Sequence, residues 1–316
     1  MSDQAYAFGV DIGGTSVKMG LFSARGGLLK RWRIPSRTDG DSAAMLSEIA
    51  QSLRDHMAAN GLRPADILGA GVGAPGPVDA EGVVRGCVNL GWGRVALKET
   101  LEALCGFGVR AENDANAAAL GELWQGAARG CDSMVLLTLG TGVGGAVILG
   151  GRLLRGAHGC AGEVGHIGVC DGEATPCRCG SRGCLEQYAS ASGLVRLAKE
   201  AAASVQKTAL PLDDLTPEAV FAAAKAEDAA ALLAVDRMAE RLGRALADIA
   251  AVCDPRVFVL GGGLSQAGAP LCDAVARHYR AMAFGDTADT PIRIAALQND
   301  AGIWGAAGLL FNNRPN

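Results

Sequence analysis

The chain reads as an α/β protein of two similar domains that face each other across a cleft. Two observations predict this class. Apolar runs of strand length alternate with stretches whose apolar residues recur at helical spacing. A strand, glycine turn, strand device occurs once near residue 11 and again near residue 140, roughly half a chain apart. The length of 316 residues, 49% of them hydrophobic, supplies core enough for two domains.

The elements follow in order. Residues 7–10 form an apolar strand that ends in Asp11-Ile-Gly-Gly-Thr15, and residues 17–22 form its hairpin partner. Residues 25–37 are basic and read as a solvated strand face. Residues 42–60 carry helical periodicity and stop before Gly61. Residues 67–72 are a strand running into Gly73-Ala-Pro-Gly-Pro77, and residues 109–111 a short strand delivering Glu112-Asn113-Asp114. A helix rich in Ala and Leu covers 115–125. Strands at 133–139 and 146–149 flank the glycines of 140–145. Helical patterns dominate 193–253. A strand at 257–260 ends in Gly261, Gly262 and Gly263, a late strand lies at 291–297, and 301–311 is a closing helix.

Composition excludes several classes. Net charge is −4 with pI near 5.6, and no basic stripe is present, so nucleic acid is not an expected partner. The N-terminal residues lack the charged and apolar regions of a secretory signal. The longest apolar candidate, 134–149, is interrupted by Gly140, Gly142, Gly144 and Gly145, so no membrane span is expected. Ten cysteines without a signal point to the reducing cytoplasm. Cys87, Cys105, Cys131, Cys253 and Cys272 are expected as small buried hydrophobes. His56 is expected on a solvated helix face, and His158 is left unassigned.

One cluster departs from that default. Glu163-Val-Gly-His166 is followed by Cys177-Arg-Cys179-Gly-Ser-Arg-Gly-Cys184-Leu-Glu186. His166, Cys177, Cys179 and Cys184 make a set suited to tetrahedral structural Zn²⁺. Cys170 is a substitute ligand, though the other three thiols are more tightly spaced. A metal pinning this loop would fix Glu163 and Glu186, which as charged acceptors suit the hydroxyls of a sugar-like ligand.

The glycine loops need separate treatment. Gly71 to Gly76 and Gly140 to Gly145 both satisfy G-x-G-x-x-G, yet neither is followed by the helix a dinucleotide fingerprint requires. There is no Walker motif. A glycine turn between strands can still aim consecutive backbone N–H groups at an anion. Asp11, at the start of the first turn, can hold Mg²⁺ directly or through water. Three such turns, near residues 11, 140 and 261, favour a nucleotide over three plain connections.

With these residues in view, the chain resembles the ROK family of bacterial sugar kinases and sugar-responsive repressors. Asp11-Ile-Gly-Gly-Thr-Ser-Val-Lys18 and Leu139-Gly-Thr-Gly-Val-Gly-Gly145 resemble its two phosphate motifs. The His166 and Cys177–Cys184 set matches its zinc signature, and Asn299-Asp-Ala-Gly-Ile-Trp-Gly-Ala-Ala307 its closing helix. Val88-Asn-Leu-Gly-Trp92, Leu153-Leu-Arg-Gly-Ala-His158 and Cys184-Leu-Glu-Gln-Tyr-Ala-Ser-Ala-Ser192 look most like the family's glucokinases.

The resemblance implies two actin-like (ribonuclease H-like) ATPase domains flanking the cleft. Residues 1–115 with 300–316 would form the small one, and 116–299 the large one with the zinc loop. It makes Asp114 the general base. Asn89, Asn113, Asp114, Glu163, His166 and Glu186 would contact the sugar, with one ring nitrogen of His166 on zinc. The nucleotide would lie along Asp11, Gly13, Gly14, Thr15, Thr141, Gly142, Gly261, Gly262 and Gly263. ATP, Mg²⁺ and a structural Zn²⁺ are the implied cofactors, and a homodimer or homotetramer the implied assembly.

For Asp114, position alone favours an N-cap of the helix starting at residue 115, and the Glu-Asn-Asp-Ala-Asn match favours the base. Both roles can coexist. The expected activity is ATP-dependent phosphorylation of glucose at O6, since acceptors and one ring N–H suit an unmodified sugar. N-acetylmannosamine, N-acetylglucosamine and fructose are the alternative acceptors. A repressor would need a DNA-binding segment ahead of the first phosphate turn, where ten residues precede Asp11. A non-catalytic sugar sensor is disfavoured by the intact turns and carboxylates.

Overall fold

The computed structural model describes residues 5–311; the ends of the expected small domain, 1–4 and 312–316, lie outside them. The chain forms two compact units: Met1–Gly130 with Arg155–Cys160 and Leu297–Asn316, and Cys131–Leu154 with Ala161–Ala296.

In the first unit, strands β1 (Tyr6–Ile12), β2 (Ser16–Ser23), β3 (Leu28–Pro35), β4 (Ile67–Ala74) and β5 (Val109–Asn113) make one sheet. Its order is β3-β2-β1-β4-β5. The hairpin strands pair antiparallel, while β1, β4 and β5 run parallel. Central β1 is buried at Ala7, Phe8, Gly9, Val10 and Ile12, as an apolar run between two neighbours should be. Helix α1 (Ser42–Ala59) starts where the Asp41 carboxylate accepts the Ala44 N–H. It buries Met45, Leu46, Ile49, Leu53 and Met57 in one core with Phe8, Val10 and Val72. Helix α2 (Leu97–Cys105) links β4 to β5, and α3 (Asp114–Gln125) follows β5 directly.

In the second unit, β6 (Met134–Leu139), β7 (Val143–Leu149), β8 (Arg152–Leu153), β9 (Phe258–Gly261) and β10 (Ile292–Ile294) form a sheet of order β10-β9-β6-β7-β8. Here too the first three strands are antiparallel and the last pairings parallel. Substituting β6 to β10 for β1 to β5 reproduces the order and every direction. The duplication expected from two glycine hairpins is therefore a duplication of the whole sheet. Between β8 and β9 lie the cysteine loop and helices α4 (Glu186–Ala189), α5 (Ala191–Ala202), α6 (Pro217–Lys225) and α7 (Ala229–Cys253). Helix α8 (Ala269–Met282) joins β9 to β10. The chain then returns to the first unit as α9 (Ala301–Phe311), packed on α3, β1 and β4.

Several expectations need adjustment. Residues 1–115 were expected to close the small domain, whereas compactness carries the first unit to residue 130, because α3 packs on α9. Gly144 and Gly145 are not turn residues: β7 begins at Val143, and a side chain at Gly145 would meet Gly162 O at 2.9 Å. His56 is not simply solvated, because its ring stacks on Trp32 at 3.8 Å. Cys87 and Cys105 are buried as expected, but Cys131, Cys253 and Cys272 are only half-buried, lying at or near element ends. No helix among the described residues is long and apolar enough to cross a membrane.

Candidate functional site

The first unit gathers its candidate residues at the carboxyl ends of parallel strands, where open α/β sheets bind ligands. Asp11 lies one residue before the end of β1, and Asp114 immediately after β5, with the end of β4 between them. The β1–β2 turn holds Gly13, Gly14 and Thr15. Gly13 N–H donates to Ser16 O at 3.2 Å, and Ser36 Oγ donates to Gly13 O at 2.5 Å. Gly14 and Thr15 are exposed, which leaves the turn accessible to an anion.

Asp11 is paired across the hairpin with Lys18, whose Nζ stands 3.2 Å from Oδ2. Burial pushes the Asp11 carboxyl upward, and Lys18 opposes that. A Cβ on Gly302, in the first turn of α9, would lie 2.5 Å from the Asp11 carboxyl carbon. The missing side chain is thus the space the carboxylate occupies. Lys18 is the one side-chain donor to Asp11 among the described residues, so the carboxylate retains acceptor capacity suited to Mg²⁺ or its bound water.

Asp114 is the first residue of α3, but Asn113 is the cap. Asn113 Oδ1 accepts from Ala115 N at 3.0 Å and Asn116 N at 3.1 Å, and its Nδ2 donates to Gly76 O at 3.1 Å. The capping role considered for Asp114 therefore belongs to its neighbour. Asp114 keeps one local contact, Oδ1 accepting Ala115 N–H at 2.8 Å. Its pKa is raised to about 6, mainly by burial and further by the charge of Asp11, against the pull of Ala115 N–H. A carboxylate poised near neutral pH suits a general base. Asn89 sits exposed in the short turn Val88–Leu90, with no side-chain partner among the described residues.

The second unit brings its two glycine turns together. Gly140, Thr141 and Gly142 connect β6 to β7; Gly261, Gly262 and Gly263 follow β9, the parallel neighbour of β6. Gly262 has φ +81°, and a Cβ there would lie 2.5 Å from Leu139 O, so only glycine lets these turns meet. Thr141, Gly262 and Gly263 are exposed.

Glu186 opens α4 and reaches this turn: Val143 N–H donates to its Oε2 at 3.1 Å. Its Oε1 stands 3.9 Å from Cys177 Sγ. Glu186 thus links the second glycine turn to the cysteine loop, a contact that spacing alone did not reveal. Glu163 is exposed, with no side-chain partner among the described residues, and begins the turn that ends at His166.

The four expected metal ligands converge. The ligand atoms of His166, Cys177, Cys179 and Cys184 all lie within 4.8 Å of one another. Cys179 Sγ and Cys184 Sγ are 3.7 Å apart, and Cys177 Sγ is 4.0 Å from His166 Nδ1. Four ligands at Zn–S and Zn–N bond lengths stand about 3.5–3.8 Å from one another in a tetrahedron. Backbone hydrogen bonding lowers the Cys179 thiol to about 7, while burial and its sulfur neighbours push Cys184 to about 12. Cys170 lies outside the group.

Four residues in the first unit escaped the sequence analysis. Lys18 was legible in principle, since a three-residue turn places it opposite Asp11. Gly302 gave no sign beyond its motif. Glu112 and Arg155 pair across a long stretch of chain, which no local pattern encodes.

Residues 7–313 match the ROK family. A glucokinase of Halalkalibacterium halodurans is 42% identical over 98% of this chain and 96% of its own. A glucokinase of Streptomyces coelicolor is 36% identical over 95% and 96%. The crystal structure of a ROK family glucokinase from Streptomyces griseus, in complex with glucose and AMPPNP, superposes with a TM-score of 0.78. It is 34% identical and covers 96% of this chain and 99% of that one. With the family match spanning residues 7–313 and relatives similar over nearly the full length, the chain belongs to the ROK family.

Proposed function

We propose that this protein is an ATP-dependent glucokinase that phosphorylates glucose at O6, with Asp114 as general base. The observation that carries the reading is a carboxylate raised to about 6 at the head of α3, next to a second carboxylate at a glycine turn. Full-length similarity to glucokinases supports glucose as the acceptor.

In this reading Asp114 accepts the O6 proton as O6 forms its bond to the γ-phosphorus, and the bond from that phosphorus to the β–γ bridging oxygen breaks to release ADP. Such transfer depends chiefly on positioning and charge stabilisation. Asn89, Asn113, Glu163, His166 and Glu186 are proposed to hold the sugar. Glu163 and Asn89 have side chains free for it, whereas Asn113 and Glu186 are partly engaged. The nucleotide is assigned to Gly13, Gly14, Thr15, Thr141, Gly142, Gly261, Gly262 and Gly263. Asp11 would hold Mg²⁺, which when bound neutralises charge on the nucleotide's phosphates. His166, Cys177, Cys179 and Cys184 would hold Zn²⁺, which when bound fixes the loop carrying Glu163 and Glu186. Ten unpaired thiols support a reducing, cytoplasmic setting. Dimer or tetramer assembly is carried over from the family resemblance, and light scattering checks it.

The test is ADP release coupled to NADH oxidation across glucose, mannose, fructose, N-acetylglucosamine and N-acetylmannosamine, with NMR of the product. Glucose should give the highest kcat/KM and glucose 6-phosphate the product. A higher kcat/KM on another sugar overturns the acceptor, and no transfer to any sugar overturns the kinase.

A further inference from the structure

Glu112 stands two residues before Asp114 and is 2% exposed, the only carboxylate besides Glu122 that is fully buried among the described residues. Its acceptor sites are filled in an ordered way. Oε1 accepts the Asn113 N–H at 3.0 Å and the Asn116 side-chain N–H at 3.0 Å. Oε2 accepts Arg155 Nε at 3.0 Å and Nη2 at 2.6 Å. One oxygen therefore ties down the strand end and first turn of α3 around Asp114. The other is neutralised by a two-point guanidinium contact, a geometry lysine does not reproduce.

Arg155 has an unusual place in the chain. It follows β8 and opens the segment Arg155–Cys160, which packs with the first unit while the residues before and after it belong to the second. That segment continues into Ala161, Gly162 and Glu163. The Arg155 side chain is 57% exposed and the Glu112 side chain 3%, so the pair sits at the surface on one side and in the interior on the other. Without Arg155 the buried carboxylate would be left without a counter-charge, which is costly. Neither residue touches the zinc cluster or the glycine turns in any hydrogen bond above. The pair is thus free of the roles already assigned.

We propose that Arg155 is a positioning residue for phosphoryl transfer. Through Glu112 it holds the turn that presents Asp114 and keeps an uncompensated negative charge from forming beside the base. This inference rests on the kinase reading given above for its catalytic half. Its structural half, an ordered turn at 113–116, does not.

The experiment uses the full chain with Arg155→Met, Arg155→Lys, Glu112→Gln and the Arg155→Met/Glu112→Gln double variant. Arg155→Met should lower kcat by about tenfold to a hundredfold, as a misplaced catalytic group does. KM for ATP should stay within about twofold. Its acid limb of kcat/KM should move to higher pH, because Glu112, two residues from Asp114, then lacks its counter-charge. The double variant should bring that limb back, and Arg155→Lys should rescue kcat only in part. Hydrogen exchange of the ligand-free protein should show faster exchange at residues 113–116 in Arg155→Met, with α1 unchanged. Wild-type exchange at 113–116 in Arg155→Met overturns the inference, as does a kcat and acid limb within about twofold of wild type. Absence of activity in the wild-type protein would instead remove the kinase reading and the catalytic half, leaving exchange to decide the structural half.

Discussion

At the scale of single residues, the proposed function rests on two carboxylates whose surroundings differ. Asp11 has a lysine partner; Asp114 has backbone N–H, the Asn113 side chain and the repulsion of Asp11. Asp114→Asn should fold and still bind sugar, while kcat falls by about a hundredfold or more; isothermal titration and turnover measured together check this. The wild-type kcat/KM should decline as pH falls through about 6, because a protonated Asp114 cannot accept the hydroxyl proton. Stability shifts the other way. The folded pKa lies above the unfolded value of 3.8, so ionised Asp114 costs stability above about 6, and that cost fades as pH falls toward 3.8. Asp114→Asn should therefore melt higher than wild type at pH 7.5, by on the order of 1–2 kcal/mol after allowance for partial exposure. The gap should close near pH 4, and thermal melts at both pH values test it. At Gly302 an added methyl would press on the Asp11 carboxyl carbon at 2.5 Å. Gly302→Ala should raise KM for Mg-ATP by about tenfold and leave sugar affinity near wild type, in steady-state and binding assays.

At the scale of elements, strands were legible as apolar runs, and those at 133–139 and 257–260 stop at glycine turns. The closing helix was legible at both ends, 301 and 311. Helices α2 and α8 were not, since each shows only three buried apolar positions, Leu97, Leu101 and Cys105 or Leu271, Val275 and Tyr279. The start of β7 was misjudged because glycine in a strand reads as a turn unless its close neighbour is known; here that neighbour is Gly162. The cysteine loop was legible from spacing alone, and its coupling to the second glycine turn through Glu186 was not. That coupling gives a prediction. Cys184→Ser should lower bound zinc from about one per chain toward zero, by metal analysis, and weaken sugar and nucleotide affinity together, because one loop carries Glu163 and Glu186. Loss of metal with both affinities unchanged would show the loop to be independent of the site.

At the scale of the whole molecule, one five-stranded arrangement occurs twice. In the proposed function, Asp11 and Asp114 belong to the first copy, and the paired glycine turns and the cysteine loop to the second. The duplication was visible in sequence only as two glycine hairpins, because the matching parallel strands β4 with β5 and β9 with β10 share topology without sequence likeness. The central claim is that these parts together transfer the γ-phosphoryl group of ATP to glucose with Asp114 taking the proton. The most direct measurement is single-turnover transfer from labelled ATP to glucose by wild type and Asp114→Asn at pH 7.5, both saturated with substrates. Label should appear in glucose 6-phosphate with wild type, and at a rate lower by about a hundredfold or more with Asp114→Asn. Transfer at a similar rate by both proteins, or none to glucose by wild type, would contradict it.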